Sequence, residues 1–126
     1  MVSFVKLQAL PEGLFTHACP TRTVLDHVMS RWGVLVLSAL VGGTLRWSEL
    51  RRAVDGISEK MLASTLRQLT ADGFVERESF PTVPPHVEYR LTDRGRDLMA
   101  RMLPLLEWIA VNADDIVAGE SEPATA

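Results

Sequence analysis

Lys60, Ser64, Arg67, Gln68 and Ala71 follow one another at steps of four, three, one and three residues, a rhythm that gathers them on one side of an α-helix. Leu62, Leu66 and Leu69 define an apolar stripe on the opposite side. The chemistry on offer is recognition rather than bond making. Arg67 and Lys60 can donate to phosphate oxygens or to guanine O6 and N7, and the Gln68 amide can pair bidentately with adenine. Ser64 and Ala71 are small enough for a second surface to come close. No carboxylate interrupts the set. Taken alone, such a face also describes a solvated helix surface with two cations, so its meaning depends on what surrounds it.

Further cations flank this segment. Arg46, Arg51 and Arg52 lie just before it, suited to a sugar-phosphate backbone or, alternatively, to ion pairs with Glu49 and Asp55. Arg77, His86 and Arg90 follow it and are candidates for phosphate or minor-groove contact, in a field diluted by Glu76, Glu78 and Glu88. The formal net charge of −3 argues against a polyanionic partner only until its distribution is considered. Residues 102–126 hold five acidic and no basic residues, whereas residues 1–101 hold thirteen basic against eleven acidic. Ten of the thirteen basic residues fall between Arg46 and Arg101, so local placement outweighs the total.

Other chemistry finds little footing. There is no Gly-rich phosphate loop, no paired-histidine metal motif and no nucleophile elbow, which argues against an enzyme, and no cofactor is expected. The single cysteine, Cys19, cannot form an internal disulfide, so any redox chemistry must run between chains. A neighbouring helix N-terminus and Arg22 would favour its thiolate; burial as an inert interface residue is the plainer alternative. His17 and Cys19 supply two ligands where a closed zinc site needs four, so no metal is expected. Trp32, Trp47 and Trp108 with five methionines can line a small-molecule pocket or simply fill a core.

A chain of 126 residues with 47% hydrophobic and 23% charged residues has the size and composition of one folded domain. The longest apolar run, Val34 to Val41, is far short of a membrane span, and no secretory leader opens the sequence, so a cytoplasmic protein is expected. Residues 1–16 read as an N-terminal arm, 17–118 as the domain and 119–126 as a flexible acidic tail. From Thr21, apolar residues recur at helical spacing towards Gly42-Gly43, predicting two helices broken near Gly33. A short helix capped by Ser48 ends at Asp55-Gly56, and Ser58 caps a longer one from Glu59 to about Asp72, with Gly73 at the C′ position. That pair has the form of a helix-turn-helix.

After Gly73 the period changes to two: Val87, Tyr89 and Leu91 alternate with Glu88 and Arg90, and Phe74 to Phe80 is the expected antiparallel partner. Pro81 to His86, with three prolines, forms a stiff hairpin tip. Thr92 caps a last helix that is apolar on two adjacent stripes. One stripe suffices for a core, so Leu98, Met102, Leu105, Leu106, Ile109, Ala113 and Ile116 are assigned to a homodimer contact. Pro104 is expected to kink that helix or divide it.

The segments Leu45-Arg46-Trp47-Ser48-Glu49-Leu50-Arg51-Arg52, Gly56-Ile57-Ser58-Glu59-Lys60-Met61-Leu62, Leu66-Arg67-Gln68-Leu69, Asp72-Gly73-Phe74-Val75 and Pro84-Pro85-His86-Val87-Glu88-Tyr89-Arg90-Leu91-Thr92, preceded by Arg31-Trp32 and followed by Gly95, resemble the HxlR-type transcriptional regulators over about residues 17–110. Trp47 stands where phenylalanine is usual, Gly33 where a small polar residue is common, and the arm before His17 is longer than in many members. The resemblance implies a bacterial, dimeric, MarR-like winged helix-turn-helix protein, mainly α with a small β-hairpin wing. In such a protein the terminal helices form the dimer and two recognition helices read a palindromic operator in double-stranded DNA. Cys19 sits where this family often has a cysteine before its first helix, a thiol that some members use to sense oxidants or electrophiles.

The expected function is therefore a sequence-specific repressor of a nearby gene that responds to a redox, electrophile or small-molecule signal. Arg46, Arg51, Ser58, Lys60, Ser64, Arg67, Gln68, Arg77, His86 and Arg90 are the candidate DNA contacts. A winged-helix module that docks proteins without specific DNA binding is the alternative, since fold alone does not establish DNA contact.

Overall fold

The computed structural model describes residues 19–121; the expected N-terminal arm, His17 and residues 122–126 lie outside the described residues. Among the described residues five helices and a three-stranded sheet follow in the order α1 (Pro20–Val28), α2 (Arg31–Leu40), β1 (Leu45–Arg46), α3 (Trp47–Ala53), α4 (Glu59–Ala71), β2 (Val75–Phe80), β3 (His86–Leu91) and α5 (Asp93–Ser121). The arrangement is mainly helical with an antiparallel wing, a winged helix-turn-helix fold. Among the described residues no helix is long and apolar enough to cross a membrane.

The first two helices separate earlier than their periodicity predicts. The break falls at Met29-Ser30, where Ser30 adopts an extended conformation and its Oγ accepts the Gly33 N–H at 3.1 Å, an N-cap that starts α2. Gly33 is inside the new helix and serves packing instead. A Cβ there would lie 2.4 Å from the His27 carbonyl oxygen and 2.7 Å from Ser30 Oγ, so only glycine lets the two helices meet this closely.

The short helix also starts one residue before Ser48. Arg46 is its N-cap, and its backbone N–H is taken up by Glu49 Oε1 at 2.8 Å, so Ser48 belongs to the first turn. Ser58 behaves as its sequence context predicts: its Oγ accepts the Met61 N–H at 3.0 Å and starts α4. Gly73 takes φ of +82° just past the end of α4, the left-handed geometry expected at C′.

The wing holds one strand more than alternation predicts. Leu45 and Arg46 pair with Tyr89 and Glu88, which makes β3 the centre of a sheet ordered β1-β3-β2. The hairpin register sets Val75 opposite Leu91 and Arg77 opposite Tyr89, so these four share one face of the sheet; Val75, Tyr89 and Leu91 are buried there, and Arg77 is exposed. Leu37 and Leu40 of α2, Leu50 of α3, Leu62, Leu66 and Leu69 of α4, and Val75 with Met99 form the centre of the core.

Thr92 caps α5 by accepting the Gly95 N–H at 3.1 Å, and α5 runs unbroken for 29 residues through Pro104 to Ser121. It therefore enters the first residues of the expected tail. Proline removes a single bond to the Ala100 carbonyl, while Met99, Met102, Leu103 and Leu106 hold both sides of that turn against the core.

Candidate nucleic-acid interface

The burial of Leu62, Leu66 and Leu69 orients α4 rigidly, and the opposite face carries Lys60, Ser64, Arg67, Gln68 and Ala71 into solvent. All five lie where helical spacing predicts. Among the described residues Lys60 and Arg67 have no carboxylate partner, so their charges are available to a ligand. Ser58 is exposed at the start of the same helix, with its Oγ committed to the α4 cap.

Beside this face, a groove of about 500 Å³ runs between α4 and the sheet, lined by Trp47, Ala63, Leu66, Arg67, Thr70, Ala71, Arg77 and Tyr89. Arg67 from the helix and Arg77 from the wing thus flank one channel, although ten residues separate them in the chain. Arg77 is exposed and, among the described residues, unpaired by any carboxylate. Trp47 alone of the three tryptophans lines this groove. Trp32 packs partly against the core with the Arg31 guanidinium 4.3 Å over its ring, and Trp108 is 59% exposed, so no shared pocket gathers all three.

The other cations differ in how freely they can act. Arg46 and Arg52 are exposed and carry no ion pair among the described residues. Arg51 instead reaches Glu59 Oε1 at 3.0 Å, an exposed pair between α3 and the start of α4, rather than Glu49 or Asp55. Exposed pairs of this kind are weak enough for a phosphate to compete. On the wing, Arg90 is clasped by Glu78 at 2.8 Å and Glu76 at 3.2 Å, and hydrogen bonding to Glu78 raises its already high pKa. His86 stacks on Phe80 and lies 3.1 Å from Glu88 Oε2. Both residues thus face carboxylates of their own sheet, and Arg77 is the wing cation left to act outward.

The mid-chain concentration of basic residues overstates the charge at this surface. Arg96 pairs with Asp93 and Arg101 with Asp97 along α5, while Arg94 donates to the Asp72 carbonyl oxygen at 2.9 Å. Such one-turn pairs on a helix are invisible to a count of charges but plain from the i,i+3 and i,i+4 spacing. A contact without any such signal joins His27 Nδ1 to Asp72 Oδ2 at 2.8 Å across 45 residues. The same carboxylate accepts Gln68 Nε2 at 3.2 Å.

Cys19 is the N-cap residue of α1 and half-buried. Its thiol lies below the ordinary cysteine value because the Arg22 backbone N–H, the Thr21 side chain and the Thr21 backbone N–H stabilise the thiolate, partly opposed by desolvation. On α5, Met102, expected at a dimer contact, is only 6% exposed and belongs to the core of the chain, with Leu98 and Leu106 packed against that core. Leu105, Ile109 and Ile116 are exposed, as are Trp108, Val24 and Leu25 of α1, and Met29 just past its end; Ala113 is half-buried.

Residues 27–116 match the family model described as HxlR-like helix-turn-helix. An uncharacterized HTH-type transcriptional regulator of Escherichia coli (strain K12), YtfH, is 51% identical over 118 residues, covering 93% of this chain and 94% of the relative. The solved structure of ytfH from Salmonella typhimurium shares 50% identity with a TM-score of 0.80, over 86% of this chain and 97% of that one. A structure of the redox regulator HypR in its oxidized form is 39% identical with a TM-score of 0.69, over 75% of this chain and 97% of that chain.

Proposed function

Because the chain belongs to the HxlR-like helix-turn-helix family of transcriptional regulators, we propose that it is a homodimeric repressor of a nearby gene that reads a palindromic site in double-stranded DNA. It is a regulator and not an enzyme. In this reading α4 enters the major groove, where Lys60, Ser64, Arg67 and Gln68 meet base edges and phosphates. Arg77 follows the flanking backbone from the wing, while Arg46, Arg51 and Arg52 hold the strand that α3 crosses. The observation that carries this reading is the outward face of α4, free of carboxylates, with Arg67 and Arg77 on either side of one groove.

Two copies are required for a palindrome. The outward apolar residues of α5 and α1 support that assembly, because a patch of this size on a lone protomer would be exposed to water. Repression needs nothing beyond occupancy of the operator, and the protein acts in the cytoplasm, where its DNA lies. For the signal, the lowered pKa of Cys19 supports an oxidant or electrophile, and the similarity to a redox regulator points the same way.

The test is binding to the intergenic DNA beside the gene across a salt series. Affinity is expected to fall steeply as salt rises, and half-sites are expected about one helical turn apart. Arg67→Ala is expected to weaken operator binding on the order of tenfold. A salt-independent interaction, or full binding by that variant, would move the function to protein docking.

A further inference from the structure

An aspartate at the end of a helix is electrostatically misplaced, because the negative end of the helix dipole repels it. Asp72 is the C-cap residue of α4, and its two carboxylate oxygens are nonetheless both engaged. Oδ2 lies 2.8 Å from Nδ1 of His27, which reaches across from the last turn of α1, and Oδ1 accepts from Nε2 of Gln68 at 3.2 Å. His27 and Asp72 are both partly buried, whereas Gln68 is exposed on the reading face. Among the described residues, Lys60, Ser64 and Arg67 have no comparable tether.

We propose that Asp72 is a positioning residue that sets the base preference of Gln68, held in place for this by His27. The proposal rests on the DNA-reading role of α4 argued above. A glutamine amide on a bare helix surface can present either its oxygen or its nitrogen to a base, and the two orientations favour different bases. A carboxylate only accepts hydrogen bonds, so Asp72 holds the Gln68 nitrogen towards itself and turns Oε1 outward. An outward oxygen accepts from the exocyclic amines of adenine or cytosine and faces the acceptor atoms of guanine O6 and thymine O4 unfavourably. The second N–H of Gln68 remains available for N7, which selects adenine. Because the side chain is oriented before DNA arrives, less rotamer freedom is lost on binding than at its untethered neighbours.

The test is selection from a pool of randomised double-stranded DNA by the full-length protein, with base preferences read by sequencing. The wild-type protein is expected to enrich adenine at one position of each half-site on the order of tenfold over guanine or thymine. Asp72→Ala is expected to lose most of that discrimination at this position while leaving the others intact. Asp72→Asn keeps the shape of the residue but can donate as well as accept, so it is expected to relax the same position to a smaller degree. Gln68→Ala is expected to lose the preference at the same place, with no further loss in the double variant. An unchanged preference in both Asp72 variants, or a uniform weakening at every position, overturns the proposal while the wild-type motif keeps the DNA-reading role intact. If the wild-type protein enriches no motif, that role falls and this inference falls with it.

Discussion

Arg90 on the central strand of the wing is held by two carboxylates of the neighbouring strand, Nη1 to Glu78 Oε1 at 2.8 Å and Nε to Glu76 Oε2 at 3.2 Å. Two carboxylates around one guanidinium leave this part of the wing with excess negative charge. The positive charge of Arg90 is thereby offset within the wing itself.

Releasing that arginine is expected to make the wing a stronger DNA contact if the proposed role of the wing holds. Glu78→Gln removes the carboxylate closest to Arg90 and one negative charge from a surface that would face phosphates. Binding to non-specific DNA is expected to tighten a few-fold, with a log–log salt slope steeper by about one. Titrations over a range of potassium chloride concentrations read both quantities. An affinity and slope equal to those of the wild type would place this edge of the wing away from the duplex.

The exposed apolar residues of α5 test the proposed dimer. Ile109 is 44% exposed and sits one residue after Trp108, itself largely in solvent, while Met99 and Met102 secure the same helix to its own core. Ile109→Asp should therefore spare the protomer fold and raise the dimer dissociation constant on the order of a hundredfold, as for the loss of a central apolar anchor. Sedimentation velocity reads the mass directly. A variant that stays dimeric at low micromolar concentration would move the contact to another surface.

Cys19 offers a pH-dependent readout. Its pKa is lowered in the folded protein, first of all by the Arg22 backbone N–H, so at neutral pH more thiolate is present than in the unfolded chain. Alkylation by iodoacetamide at pH 7 is expected to be faster in the native protein, with its rate profile shifted to lower pH, and unfolding should return it to the ordinary range. Cys19→Ser is expected to bind the operator as the wild type does and to ignore diamide or peroxide. Loss of binding on oxidation of the Cys19→Ser protein would refute a sensing role.

Gly33 tests the junction of α1 and α2. A methyl group there meets the His27 carbonyl oxygen at 2.4 Å, and backbone has to move to admit it. Gly33→Ala is expected to destabilise the protein by about 1–3 kcal/mol, the usual cost of overpacking, despite the better helix propensity of alanine. That corresponds to a fall of several degrees in melting temperature. An equal or higher melting temperature would mean that the two helices do not meet this closely.

The helix-turn-helix was legible because each of its signals is local. Ser58 followed by Glu59, the leucines at 62, 66 and 69, and Gly73 all act within one helix, and the same spacing assigned Lys60, Ser64, Arg67, Gln68 and Ala71 to the outer face. The hairpin followed from the alternation of Val87, Tyr89 and Leu91 for the same reason. Strand β1 left no trace, since two residues have no period; Leu45 and Arg46 become a strand only because β3 has a free edge beside them. Pro104 gave a correct warning of a missing hydrogen bond but no measure of the apolar packing that carries α5 through it.

Local spacing and side-chain chemistry were thus enough to state which residues turn outward on α4 and what kind of ligand suits them. Which cations remain free to act was decided by folding. Arg77 and Arg90 are indistinguishable as letters, and only the register of β2 on β3 encloses one in carboxylates and leaves the other at the groove beside Arg67. The tether from His27 through Asp72 to Gln68 has the same origin. Periodicity reports the face of an element, because side-chain direction repeats along the backbone, whereas charge partnership depends on distances between segments that no repeat along the chain encodes.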